Sequence, residues 1–133
     1  MPPNQLLAVM INKQEFLDTY GYFDKQVLIE IIDIFMDEYP GRFEKIRCEV
    51  KEKNFSELRF DAHWLKGTVA NFCAPIAKEK AYTLEKLASG LVDSNGEGYD
   101  EKGVLNSVND LYECVLIMSN QLMEMREEFA MKE

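Results

Sequence analysis

The stretch 104-VLNSVNDLYECVLIMSNQLMEMREEF-129 places apolar residues at Val104, Val108, Leu111, Val115, Met118, Leu122, Met125 and Phe129, an unbroken alternation of four and three. That is the period of an α-helix with one buried stripe. A seam this regular could zip two chains into a coiled coil. The same chain, however, offers other amphipathic segments of similar length, so packing inside one bundle is the expectation.

Reading outward from that helix finds its companions. Leu91 to Asp100 carries Asp93, Ser94, Asn95, Gly96 and Gly98 and reads as a polar, mobile loop. Before it, Ala74-Pro75 opens a helix with proline in its first turn, with Ile76, Ala77, Ala81, Leu84, Leu87 and Ala88 facing inward and Ser89-Gly90 expected to end it. Asn54 with Glu57 is a capping box ahead of the stripe Leu58, Ala62, Leu65, Val69 and Phe72. Further upstream, after Asp24, Leu28, Ile31, Ile32, Phe35, Phe43, Ile46 and Val50 keep a helical period across Tyr39-Pro40-Gly41. Pro40 is therefore expected to kink or briefly break a long helix rather than divide two domains. Asn12 with Glu15 opens a short first helix that stops at Gly21. No segment alternates with the period of a half-buried strand, and there is no internal repeat. The expected fold is all-α: an up-down antiparallel four-helix bundle with a short additional N-terminal helix, one domain over residues 1–133.

Composition narrows the function classes. The 133 residues carry 15 Lys and Arg against 24 Asp and Glu, a net charge of -9. Such an excess of acid repels phosphate backbones and anionic lipid, so no nucleic-acid or membrane partner is expected. The most apolar run, Val27 to Met36, is short and broken by Glu30 and Asp33, and the first residues lack the pattern of a signal peptide. A cytoplasmic location follows as the default. Cys48, Cys73 and Cys114 are odd in number and widely spaced, which fits neither a disulfide framework nor a zinc pair. The single histidine, His63, excludes sites that need two imidazoles from one chain, and Phe60 three residues before it breaks the di-iron Glu-x-x-His pattern.

At about 100° per residue, His63 lies roughly 160° from Leu65, near the middle of the inward stripe, so the imidazole points to solvent. The same wheel gathers Arg59, Phe60, Lys66, Gly67 and Ala70 around it, with Trp64 flanking. Imidazole, with an ordinary pKa of about 6.5, is largely neutral at cellular pH and can attack an electrophile without a dedicated base. Lys66 supplies a mobile ammonium for an anionic group. Gly67 and Ala70 keep the surface low, and glycine in a helix interior costs about 1 kcal/mol against alanine. Phe60 and Trp64 are rigid apolar anchors of the kind found in interfaces. Plainer readings exist for each: an inert surface histidine, aromatics wedged against the next helix, ordinary solvated cations.

The order of residues adds what the wheel does not. Ala62-His63-Trp64-Leu65-Lys66-Gly67-Thr68-Val69-Ala70-Asn71-Phe72 closely resembles the signature of histidine-containing phosphotransfer domains, and the opening turn Asn54-Phe55-Ser56-Glu57-Leu58 and the later Leu84-Glu85-Lys86-Leu87 resemble flanking parts of that family. Cys73 stands where the family pattern has glycine, which puts the end of this helix in question, since a left-handed cysteine costs about 1 kcal/mol. The resemblance implies a phosphorelay intermediate. His63 would accept a phosphoryl group through Nε2 from the phospho-aspartate of a response-regulator receiver domain and pass it to another receiver. Lys66 would neutralise the phosphoryl oxygens, and Gly67 and Ala70 would give access. Arg59, Phe60 and Trp64 are added from the wheel as docking residues. No cofactor is expected in this chain; Mg²⁺ would be bound by the partner receiver, and a hybrid sensor histidine kinase would stand upstream. No glycine-rich phosphate cradle suggests phosphorylation from ATP. The chain is expected to be a free-standing monomeric module. The alternatives are a non-catalytic helical adaptor or dimerising bundle using the Val104 to Phe129 seam, and a protein that binds a receiver without becoming labelled.

Overall fold

A computed structural model describes residues 10–131. Among these there are five helices and no strand: α1 Lys13–Tyr20, α2 Lys25–Glu52, α3 Phe55–Asn71, α4 Pro75–Asp93 and α5 Glu101–Met131. Their starts follow local chemistry. Asn12 accepts a hydrogen bond from the Glu15 amide, Asp24 from that of Gln26 and Asn54 from that of Glu57, each satisfying a donor the helix cannot pair internally. Pro75 begins α4, where its missing N–H costs nothing.

One expectation about helix limits is narrowed and another is corrected. Helix α2 runs without a break through Pro40 for 28 residues, because the buried stripe on both sides of the proline packs against the same core. Helix α4 does not end at Ser89-Gly90 but continues to Asp93, carried by the burial of Leu91. Leu87, assigned inward, is exposed. It stands beside the stripe of Leu84, Ala88 and Leu91 rather than on it.

Helix α2 packs on α3 and α5, and α4 on α3 and α5, so each long helix buries its stripe against two others. Phe43, Ile46, Leu58, Leu65, Leu84, Leu111, Met118 and Leu122 are fully enclosed there. At one end α1 closes the core: Phe16 stacks on Phe72 and Phe129 at 6.3 and 6.4 Å between ring centres.

The connections are short and pinned. Only Lys53 and Asn54 separate α2 from α3, with Lys53 left-handed at φ 59°. The residues 94–100 between α4 and α5 turn through positive φ at Asn95, Gly96 and Gly98 and are tied to the bundle by Tyr99, whose hydroxyl donates to the Val50 carbonyl at 2.7 Å. A side chain at Gly96 would start 3.0 Å from the Phe55 ring. No helix among the described residues is long and apolar enough to cross a membrane.

Candidate functional site

Helix α3 is fixed at both ends and along its inner face, and that determines what it shows outside. Its N-terminus is capped by Asn54. Its C-terminus unwinds through Cys73, which adopts φ 59°, donates its amide to the Ala70 carbonyl and accepts the Asn12 amide at 2.8 Å. The left-handed turn that glycine serves most readily is thus made here by cysteine. Leu58, Ala62, Leu65 and Val69 are inaccessible, which leaves the His63 side chain 68% exposed on the opposite face.

The exposed imidazole is not free to rotate. Its Nδ1 lies 2.7 Å from Oε2 of Glu85, which reaches across from α4, and the other oxygen of the same carboxylate is ion-paired with Lys66 Nζ at 2.6 Å. Burial raises the Glu85 carboxyl, but Lys66 and His63 outweigh it and hold it below the usual carboxylate range. An ionised carboxylate can only accept, so the shared hydrogen is on Nδ1. The lone pair is left on Nε2, and a ring nitrogen so oriented can act as a nucleophile.

The other singled-out residues are distributed around this centre. Lys66 is not a loose cation: its side chain is 24% exposed, gripped by Glu85 and 5.0 Å above the Tyr82 ring. Gly67 is exposed, and a Cβ built there would meet no heavy atom within 4 Å beyond its own turn of helix. Packing inside the described chain therefore does not demand glycine at this position. Ala70 is half-buried, whereas Arg59 and Phe60 project into solvent, Phe60 at 62%. Trp64 packs partly against the core beneath the Arg42 guanidinium, 4.0 Å from its ring centre. Beyond His63, Thr68 and Asn71 of α3 line an apolar groove of about 320 Å³ with Ile31, Ile34, Phe35 and Phe72.

On the inner side of α3 lies a second charged cluster that the sequence reading overlooked. Asp61 is inaccessible and accepts from Arg42 at 3.0 Å and Lys45 at 2.7 Å. Lys45 also donates to Glu49 and Glu57 at 2.8 and 3.3 Å. The three carboxylates converge on an ammonium that the chain itself supplies. Glu85 was missed as well, although Leu84-Glu85-Lys86-Leu87 had been singled out as a stretch.

The family model of the Hpt domain matches residues 30–127. Neither a curated protein nor a solved structure matches the chain. The matched span takes in most of the sequence, with His63, Lys66 and Glu85 inside it, and the chain belongs to the Hpt domain family.

Proposed function

We propose that this chain is a phosphorelay intermediate of two-component signalling, in which His63 Nε2 takes a phosphoryl group from the phospho-aspartate of one receiver domain and yields it to another. The observation that carries this reading is an exposed imidazole whose Nδ1 is held by Glu85 beside the Lys66 ammonium. In the forward step an N–P bond forms as the P–O bond to the aspartate breaks, and the carboxylate leaves with its electron pair. Such a step needs positioning and charge compensation more than covalent help. Lys66 is the cation within reach, and Gly67 leaves space for the incoming surface.

The docking face is read as Arg59, Phe60, Trp64, Gly67 and Ala70, continued by the groove at Thr68 and Asn71. Mg²⁺ would come with the receiver, and a hybrid sensor histidine kinase would charge the relay. The four long helices are read as an antiparallel up-down bundle in one domain, monomeric and cytoplasmic. Family membership supports the relay role itself.

Replacing His63 with glutamine tests the reading against that of a passive adaptor. Wild type mixed with phosphorylated receivers is expected to gain phosphate that is labile to acid and stable to base. His63→Gln should gain none while its far-ultraviolet spectrum and melting stay unchanged. Wild type that binds a phosphorylated receiver and remains unlabelled would support the adaptor.

A further inference from the structure

We propose that the edge of the bundle between α2 and α5, across the molecule from the histidine, is a docking surface for a basic amphipathic helix of a partner protein. The proposal goes beyond the relay reading and does not depend on it. Because α2 and α4 each pack on α3 and α5, the α2–α5 edge lies opposite the α3–α4 edge, where His63 meets Glu85. A partner seated there leaves the imidazole uncovered.

Charge is unevenly placed in this chain. Helices α3 and α4 carry as many cations as carboxylates, whereas α2 and α5 hold an excess of acid. Two links mark out a stretch of their shared edge: Arg126 donates to both oxygens of Asp33 at 2.6 and 3.0 Å, and Arg47 donates to Asn109 at 3.3 Å. Between these links α5 contains no Lys or Arg, and the two cations of α2, Arg42 and Lys45, are engaged by Asp61. Pro40 lies seven residues from both Asp33 and Arg47 and so shares their side of the helix, with Asp37 and Glu44 one turn from them. Both carboxylates are exposed, and neither is in an ion pair among the described residues.

The same stretch exposes apolar surface. Leu116 follows by one turn Tyr112, whose ring meets Phe43 of α2, and Met123 stands one turn before Arg126; the two side chains are 37% and 40% exposed. Pro40 and Gly41, poor helix formers, are exposed beside them, and a Cβ at Gly41 would meet nothing within 4 Å, so packing inside the described chain calls for neither. Two packed helices leave a groove in which a third can lie, and from Asp33 to Arg47 this one runs about 21 Å, four turns of helix. The occupant's chemistry follows from the lining: aliphatic side chains against Leu116 and the adaptable Met123, with Lys or Arg on the flanks facing Asp37 and Glu44. A second copy of this chain would set the same acids against one another, which makes a cationic partner the better fit.

The test titrates the ¹⁵N-labelled full chain, at physiological salt, with a synthetic helical peptide about four to five turns long that carries a leucine stripe flanked by lysines. Two control peptides keep the leucines but exchange lysine for glutamate, or keep the lysines but exchange leucine for alanine. The lysine–leucine peptide is expected to bind and to shift the amides of residues 33–47 and 109–126, leaving those around His63 in place. Asp37→Lys and Glu44→Lys should each weaken it about fivefold and Leu116→Ser about tenfold, while Glu79→Lys, the same charge change on α4, should alter it less than about twofold. No binding, equal binding of either control, or shifts centred on another face would overturn the proposal. Should a variant fail to fold, the shift map of the wild type decides alone. Dimers of the unliganded chain in sedimentation that Leu116→Ser disperses overturn it in favour of a second copy.

Discussion

Helix α3 carries a carboxylate–cation cluster on each side. On the outer side Glu85 grips His63 and Lys66; on the inner side Asp61 is gripped by Arg42 and Lys45. The chemistry of the two is nearly the same, and what separates them is water. The histidine is 68% exposed, whereas the Asp61 side chain is 0% exposed. A carboxylate enclosed as Asp61 is can only hold helices together, since both its oxygens are spent on Arg42 and Lys45. An open one can hold a reactive ring in place and still offer that ring to a partner. On the relay reading the first belongs to the fold and the second to the reaction, and four substitutions probe the division.

The largest effect is expected from Asp61→Asn, which leaves Arg42 and Lys45 without their buried partner. Breaking a buried pair commonly costs about 3–5 kcal/mol, and because Lys45 is half-exposed a loss of about 2–3 kcal/mol is expected here. Glu85→Gln on the open side should cost less than about 1 kcal/mol. Urea unfolding of the two variants measures the contrast; equal losses would erase it.

Next comes a pH dependence inside the closed cluster. Burial, then the neighbouring Asp61 carboxyl, push Glu49 up to about 7 against the pull of Lys45. Its ordinary value is 4.5, so the folded chain binds this proton more tightly than the unfolded one. The stability gained is complete below the ordinary value and is lost as pH rises through about 7. Asp61 acts in the opposite sense and in stronger acid. Burial raises it, but Glu49, Lys45 and Arg42 bring it below its ordinary 3.8, so its contribution is lost as pH falls. Glu49→Gln should therefore remove about 2 kcal/mol of decline between mildly acidic and neutral pH, read from denaturation midpoints of the two proteins.

The smallest effect is the most diagnostic. With no internal neighbour to crowd, Gly67→Ala should stabilise the helix by about 1 kcal/mol. On the relay reading it should also slow transfer from a receiver, because the added methyl stands on the docking surface. A variant that gains stability and transfers at the wild-type rate would show that the glycine serves no partner.

How far the sequence revealed this contrast depends on which geometry each residue needs. His63 was legible because a helical wheel places it opposite Leu65 without knowledge of any other helix. The left-handed turn at Cys73 was raised as a question by the departure from the family's glycine, and the backbone there does take φ 59°. Glu85 was not legible as a partner of His63. The residue of α4 that meets a given residue of α3 depends on how the two helices are offset, and periodicity within one helix says nothing of that offset. Asp61 did leave a signal. It sits one turn before Leu65, about 40° away on the wheel, so a charged residue occupied the inward stripe. Charge on a core face asks for partners, and Arg42 and Lys45 on the preceding helix were the available cations. Leu87 and the stop at Ser89-Gly90 were misjudged for another reason: the burial of Leu91 carries α4 past a local breaker and leaves Leu87 beside the stripe.

The two-residue connection between α2 and α3 has a mechanical consequence. The short tether at one end, the buried inner face and the turn fastened at Cys73 each oppose sliding or tilting of the helix that bears the histidine. A cargo attached to its outer face would alter the electrical outline seen by the next protein and leave the interior in its resting arrangement. On the relay reading, the message would travel as a parcel handed over, not as a shape transmitted through the protein.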